Sequence, residues 1–268
     1  VYAPLSKNHV KEIRLLRLLK AGFNDAIHGE LVIAPLQDQM AFTALSYTWA
    51  DEDGDSSRNS AIYLGRHWDM FPVTQNCAAA LRRMRLHDRD LMVWVDAICI
   101  DQGNHVERNH QVGLMTEVYS CAQEVFVYLG DGRLEISSML TKVRWPKERA
   151  TITLAAAQRF FSLAYFSRIW VVQEVANAKS VSLVPSFATH VPGWIKAEYT
   201  KSKPSCQDFA QLLLDTSTST HASDPRDSVF ALFGLAKDSG SQGLVADYTL
   251  TLPEVYIGAA AFAILNLG

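Results

Sequence analysis

The 268 residues predict an α/β fold, a mostly parallel sheet flanked by helices, with a β-hairpin insertion and a C-terminal helical extension. Three observations predict it. Helical and strand periods alternate along the chain. Leu91–Val95 and Val125–Leu129 are short continuous apolar runs of the kind buried on both faces of a parallel sheet. A helical pattern of crossover length lies between them, as a βαβ unit requires.

In chain order, residues Glu30–Pro35 and Phe42–Tyr47 read as strands. The polar run Asp51–Ser60 reads as a loop. Residues Ala61–Leu64 and Met70–Val73 flank Gly65-Arg66-His67, a hairpin signal. Thr74 or Asn76 caps a helix running to about Leu86, with Ala80, Leu81 and Met84 on one face. After the strand ending at Asp96, a helix is expected from about Val106 to Cys121. Gly130-Asp131-Gly132 stops the next strand as a turn. Residues Thr153–Ala178 are helical by period with a break near Phe166-Ser167, and Val181–Val184 is a short strand.

The irregular stretch Pro185–Ser205, with Pro192, Gly193 and Pro204, marks the internal boundary. It divides an α/β core, residues 1–184, from an extension, residues 185–268, expected to pack as helices on the core. Asp224-Pro225-Arg226-Asp227 is a helix-start signature, in which Asp224 caps and Asp227 complements the dipole, and Gly234 or a residue just after it ends that helix. Tyr256–Leu267 is apolar but too short to span a hydrocarbon layer of ~30 Å, so it reads as a core helix and no membrane span is expected.

Composition narrows the function. Hydrophobic residues make up 49% and charged residues 20%, ordinary globular usage. A net charge of −3 and the absence of a basic stripe beside the aromatics argue against nucleic acid. Cys77, Cys99, Cys121 and Cys206 form no C-x-x-C pair and read as reduced thiols of an intracellular, cytoplasmic protein. His105 and His110 sit on different helix faces, so no metal site is expected. The chain opens VYAPLSKNHV, without an initiator Met or a secretory pattern, and reads as a piece of something longer.

No P-loop, G-x-G-x-x-G or G-x-S-x-G occurs. Carboxyl ends of parallel strands build the binding crevice, which directs attention to Ser46-Tyr47-Thr48-Trp49, to Asp96 through Gln102, and to Ser167 through Glu174. Asp96 at the lip of the sheet either caps the next turn or faces a site. Glu174 shares a helical face with Trp170 and has Val171, Val172 and Val175 around it, so it needs a partner or an upward-shifted pKa. Arg168 is the candidate partner. Tyr47 and Trp49 read either as core or edge-of-core aromatics or, from their place after a strand, as substrate contacts.

Three ordered segments together resemble the heterokaryon-incompatibility (HET) domain family of filamentous fungi. They are Ala44-Leu45-Ser46-Tyr47-Thr48-Trp49, Trp94-Val95-Asp96-Ala97-Ile98-Cys99-Ile100-Asp101-Gln102, and Arg168-Ile169-Trp170-Val171-Val172-Gln173-Glu174. Glu12 to Leu16, Glu107-Arg108, Gln111-Val112 and Asp224-Pro225-Arg226-Asp227 are similar to the family too. The chain departs at Ala50, where the family has Gly, and at Asp101, where it has Asn. The resemblance implies a TIR-like, flavodoxin-like sheet and a programmed cell-death function in fungal allorecognition and innate immunity. In TIR domains a Ser…Trp…Glu pattern carries the Glu of NAD glycohydrolysis, and Ser167, Trp170 and Glu174 look similar. By that analogy Glu174 is the catalytic candidate, and Tyr47, Trp49, Asp96, Gln102, Arg168 and Trp170 are substrate-binding candidates. NAD or a related nucleotide is then substrate rather than cofactor. The alternative is a non-enzymatic module that self-assembles and recruits other death-signalling proteins.

Overall fold

The structure, a computed structural model, describes residues 2–5, 11–37, 41–51, 53–130, 163–179, 181–182, 209–217, 220–236 and 245–266. Among these residues, eight strands form one mixed sheet: β1 Glu12–Leu18, β2 His28–Pro35, β3 Thr43–Tyr47, β4 Ser60–Leu64, β5 Asp69–Val73, β6 Leu91–Trp94, β7 Glu124–Tyr128 and β8 Val181–Ser182. Their order is β5-β4-β2-β1-β6-β3-β7-β8. The pairs β2–β4, β3–β6, β3–β7 and β7–β8 are parallel, and β1–β2, β1–β6 and β4–β5 are antiparallel.

β1 is absent from the expected elements, yet it lies near the middle of the sheet. Its sequence, Glu-Ile-Arg-Leu-Leu-Arg-Leu, is broken by arginines. Arg14 is nonetheless buried and joins Glu107 in a bidentate pair, Nη1–Oε1 2.5 Å and Nη2–Oε2 3.0 Å. A strand containing a buried cation does not display the alternation that identifies strands.

Elsewhere the local chemistry explains the elements directly. The Thr74 hydroxyl accepts from the Cys77 amide and starts α1, Gln75–Met84, which buries Cys77, Ala80, Leu81 and Met84 against the sheet. Gly65 takes a positive φ of 68° in the β4–β5 hairpin, a conformation open to glycine at no steric cost. The single helix expected from about Val106 to Cys121 is two. α3, His105–Gly113, ends at Leu114, and α4, Met115–Cys121, begins there, because Gly113 weakens the helical run at the junction. The short α2, Asp96–Cys99, follows β6 directly. A 3-10 turn, Ala164–Ser167, precedes α5, Ile169–Ala176, with the break at Arg168. The expected helical stretch before residue 163, the Gly130-to-Gly132 turn beyond its first residue and the irregular stretch 185–205 lie outside the described residues, as does Cys206.

The remaining helices among the described residues are α6 Phe209–Ser217, α7 Asp227–Phe230 and α8 Leu252–Asn266. They share a second apolar cluster, with Phe209, Leu212, Val229, Phe230, Leu232, Val255 and Ala259 buried together. Each such large side chain stabilises by about 1.5–3 kcal/mol on burial. Val112 and Trp170 border both this cluster and the sheet core, so the two meet along α3 and α5.

Two expectations here are corrected. α8 is not a core helix: Val255 and Ala259 are buried, whereas Tyr256 and Ile257 are 45% and 69% exposed. A segment apolar on every side carries no periodic signal to separate its packed stripe from its solvent face. The second correction concerns the helix after Asp224, whose carboxylate accepts from the Arg226 amide at 3.1 Å as a cap does: α7 is a single turn, Asp227–Phe230, rather than a helix running to about Gly234. The chain beyond Phe230 continues as turns past Gly234. Gly234 serves close approach: a Cβ there would overlap the Thr116 hydroxyl and the Gln173 amide. Gly234→Ala is expected to cost about 1–3 kcal/mol, read from urea-unfolding midpoints. An unchanged midpoint would show that α4 and α5 have slack at this contact.

Candidate functional site

β3 and β6 run parallel, so their carboxyl ends open at the same edge of the sheet, and Trp49 and Asp96 follow there. The second apolar cluster faces that edge. Between them lies a cleft of about 170 Å³ lined by Trp49, Asp96, Gln102, Arg168, Trp170 and Glu174 from the sheet side, and by Arg108, Asp224, Asp227 and Tyr248 among others. Such crevices at strand carboxyl ends are the ordinary binding place of α/β sheets.

Glu174 is 3% exposed on α5. One carboxylate oxygen accepts from the Ser46 hydroxyl, which lies 2.6 Å from the Tyr165 hydroxyl. The other faces Arg168 Nη2 at 3.7 Å. That separation is long for a charge-assisted hydrogen bond, and the Arg168 side chain is 23% exposed, so the pair borders the cleft rather than being sealed in the core. Burial raises the Glu174 pKa above its ordinary value, with Asp96 adding to the rise and with Arg168 and Ser46 opposing it.

Asp96 combines both readings that the sequence leaves open. Its Oδ1 accepts from the Ala97 amide at 2.7 Å, and its Oδ2 accepts from the Trp49 indole at 2.9 Å while the residue lines the cleft. Burial raises its pKa too, offset by Arg168 and these donors. Gln102 Nε2 donates to the Asp96 carbonyl at 2.9 Å, closing the loop around it. Arg168 lies between the two carboxylates electrostatically, and its Nη1 donates to the Tyr47 carbonyl at 2.5 Å. Two buried carboxylates coupled to one guanidinium form a charge cluster that favours keeping a proton on one acid.

Six of the seven residues singled out from the sequence therefore share one cleft. Tyr47 does not: it is 2% exposed, and its ring packs in the sheet core instead of on the cleft wall. Its hydroxyl is buried near the Asp96 carboxylate and the Cys77 thiol without a well-aligned bond to either. Burial raises Cys77 and Cys99 to about 12, the behaviour of inert thiols.

Ser46 falls within the first strand-end segment without a role of its own, and the sequence does not pick out Tyr165, Arg108, Asp227 or Tyr248 as site residues. Ser46 left a usable trace, a hydroxyl in the apolar run Ala44-Leu45-Ser46-Tyr47 that must find a buried partner. Asp227 reads in sequence as a dipole partner. In the structure its Oδ1 accepts from the Tyr248 hydroxyl at 2.5 Å, while burial raises its pKa and Tyr248 and Trp170 oppose the rise. Nothing local connects residue 248 to 227 or 170, so only the fold shows this. Among the described residues no group of His, Cys, Asp and Glu is placed to hold a metal ion, and no helix is long and apolar enough to cross a membrane.

An α/β module with a carboxylate–arginine cleft at the strand ends is the class that fold and site define. Residues 42–174 of it match the family described as Heterokaryon incompatibility protein (HET), a span that includes all seven residues above. The chain is also similar to Heterokaryon incompatibility protein 6, OR allele, of Neurospora crassa. The two are 26% identical over 350 aligned residues, covering 92% of this chain and 51% of that protein. The chain thus spans about half the length of this curated relative. No solved structure is a significant match.

Proposed function

We propose that this chain is a fungal incompatibility and cell-death effector domain of TIR-like type whose cleft cleaves the nicotinamide–ribose bond of NAD. The observation carrying the reading is Glu174, a buried carboxylate on the wall of a cleft shared with Asp96, Arg168, Trp49 and Trp170. The family match and the Neurospora relative support the incompatibility role.

The chemistry suits one well-placed carboxylate. As the C1′–N bond breaks, its electron pair neutralises the pyridinium ring, so the leaving group needs no acid. Positive charge develops on the ribose, and Glu174 opposes it. Water then adds at C1′ and gives up a proton, leaving ADP-ribose and nicotinamide. Asp96 is placed to orient that water or a ribose hydroxyl. A cleft of about 170 Å³ takes a ring or a sugar rather than a dinucleotide, since pockets enclosing whole drug-sized ligands run to roughly 300–1,000 Å³. The rest of the molecule would lie along the rim.

Ionised Glu174 is the active form in this mechanism. Because burial raises its pKa above the ordinary 4.5, the acid limb of kcat/KM is expected to have its midpoint above that value, with turnover rising as pH increases through it. In cells, expression of the wild-type chain in a fungal host should deplete NAD before viability falls, and Glu174→Gln should preserve both. Death with the NAD pool intact, and retained by Glu174→Gln, would replace the hydrolytic reading with assembly and recruitment.

A further inference from the structure

Among the described residues, Arg108, on α3, is the cleft guanidinium that forms no ion pair. It lines the cleft, and its Cζ lies 4.4 Å from the centroid of the Tyr248 ring. Its Nε is buried without a hydrogen-bond partner, and the side chain makes no ion pair within 4.0 Å among the described residues.

The neighbouring charges are already engaged. Asp224 is held by Arg226, whose Nε and Nη2 donate to its two oxygens at 2.9 and 2.7 Å. Asp227 takes the Tyr248 hydroxyl. Arg168, the other arginine lining the cleft, is occupied by Glu174 and the Tyr47 carbonyl. Arg226 also donates to the carbonyls of Tyr248 and Leu250, at 2.8 and 2.9 Å, and so fixes the ring on which Arg108 rests. A planar cation braced on an aromatic ring, with unused donors toward a cleft, is pre-organised for bidentate recognition of an oxyanion.

We infer that Arg108 is the phosphate-binding residue of the cleft, anchoring the pyrophosphate of a nucleotide whose sugar reaches Glu174. This inference rests on the NAD reading for the sugar end only. The anion contact is separable from it, because a ligand can bind at Arg108 without being cleaved.

The test is calorimetric titration with ADP-ribose, which lacks the scissile bond, and with inorganic pyrophosphate. Wild type, Arg108→Gln and Arg108→Lys are compared after thermal unfolding confirms that each is folded. Wild type should bind both, and Arg108→Gln should weaken each by about 10- to 100-fold, the loss of a charged hydrogen-bonded contact. Arg108→Lys should fall between, since a lysine keeps the charge but not the planar fork. With NAD as substrate, Arg108→Gln should raise KM and spare kcat. Equal affinity of wild type and Arg108→Gln for both ligands, or no binding by wild type at millimolar concentration, would overturn the assignment. Binding that depends on Arg108 without nicotinamide release would uphold it while removing the hydrolytic reading.

Discussion

Arg14→Ala is expected to destabilise the fold by about 3–5 kcal/mol, enough to leave much of the chain unfolded under mild conditions. Arg14 is 1% exposed in β1, and its guanidinium satisfies four acceptors: both Glu107 oxygens, the Ala3 carbonyl at 2.7 Å and the Cys99 carbonyl at 3.3 Å. Removing it strands the Glu107 carboxylate, which also accepts from the Asp101 amide at 2.8 Å and so ties the loop after α2 to α3. The cleft residues Asp96 and Gln102 belong to that α2–loop segment, so the damage would reach the site. Replacing both partners with methionine should cost less than Arg14→Ala, because an apolar pair leaves no buried charge unmatched. Urea unfolding of the two variants measures the difference, and a double variant less stable than Arg14→Ala would contradict the account.

The same pair sets an acid limit. Burial pushes the Glu107 carboxyl upward, but the Arg14 hydrogen bonds and the Asp101 amide outweigh it and hold the pKa below the ordinary 4.5. The stability it contributes is therefore complete above about 4.5 and is lost as pH falls through the lower folded value.

Glu174 has the opposite sign, and this gives the second large effect. Its folded pKa is raised, so the stability it contributes is fully present below 4.5 and is lost as pH rises through the folded value. At neutral pH the ionised side chain costs stability. Glu174→Gln removes one of the two buried acids and leaves Arg168 balanced by Asp96. The unfolding midpoint of the variant should therefore equal or exceed that of wild type at neutral pH, with the advantage shrinking toward pH 4. Turnover should meanwhile fall by about 10²–10³-fold, the scale of losing one electrostatic contact to a developing charge. A carboxylate kept at a cost in stability is what a functional residue, rather than a structural one, leads one to expect.

What could be read in advance follows from how local each signal is. The buried strands β6 and β7, the β4–β5 hairpin and the Thr74 cap declare themselves within a few residues, and all appear where expected. Glu174 and Asp96 also stand out, since each is an acid set against an apolar run. β1 does not, because its buried Arg14 is matched by an acid 93 positions away. Arg108 reads as a surface charge on an amphipathic helix until the segment around Tyr248 folds back across it. Tyr47 leaves two readings open, core or contact. Its place beside Thr48 and Trp49 directs attention to the strand end, but the pleat points its ring into the core.

The most direct test is nicotinamide released from NAD by the purified chain and by Glu174→Gln, each at high protein concentration and with its unfolding midpoint recorded on the same preparation. The account predicts turnover by the wild type and its near-complete loss in an equally stable variant. Equal release by both proteins would contradict it.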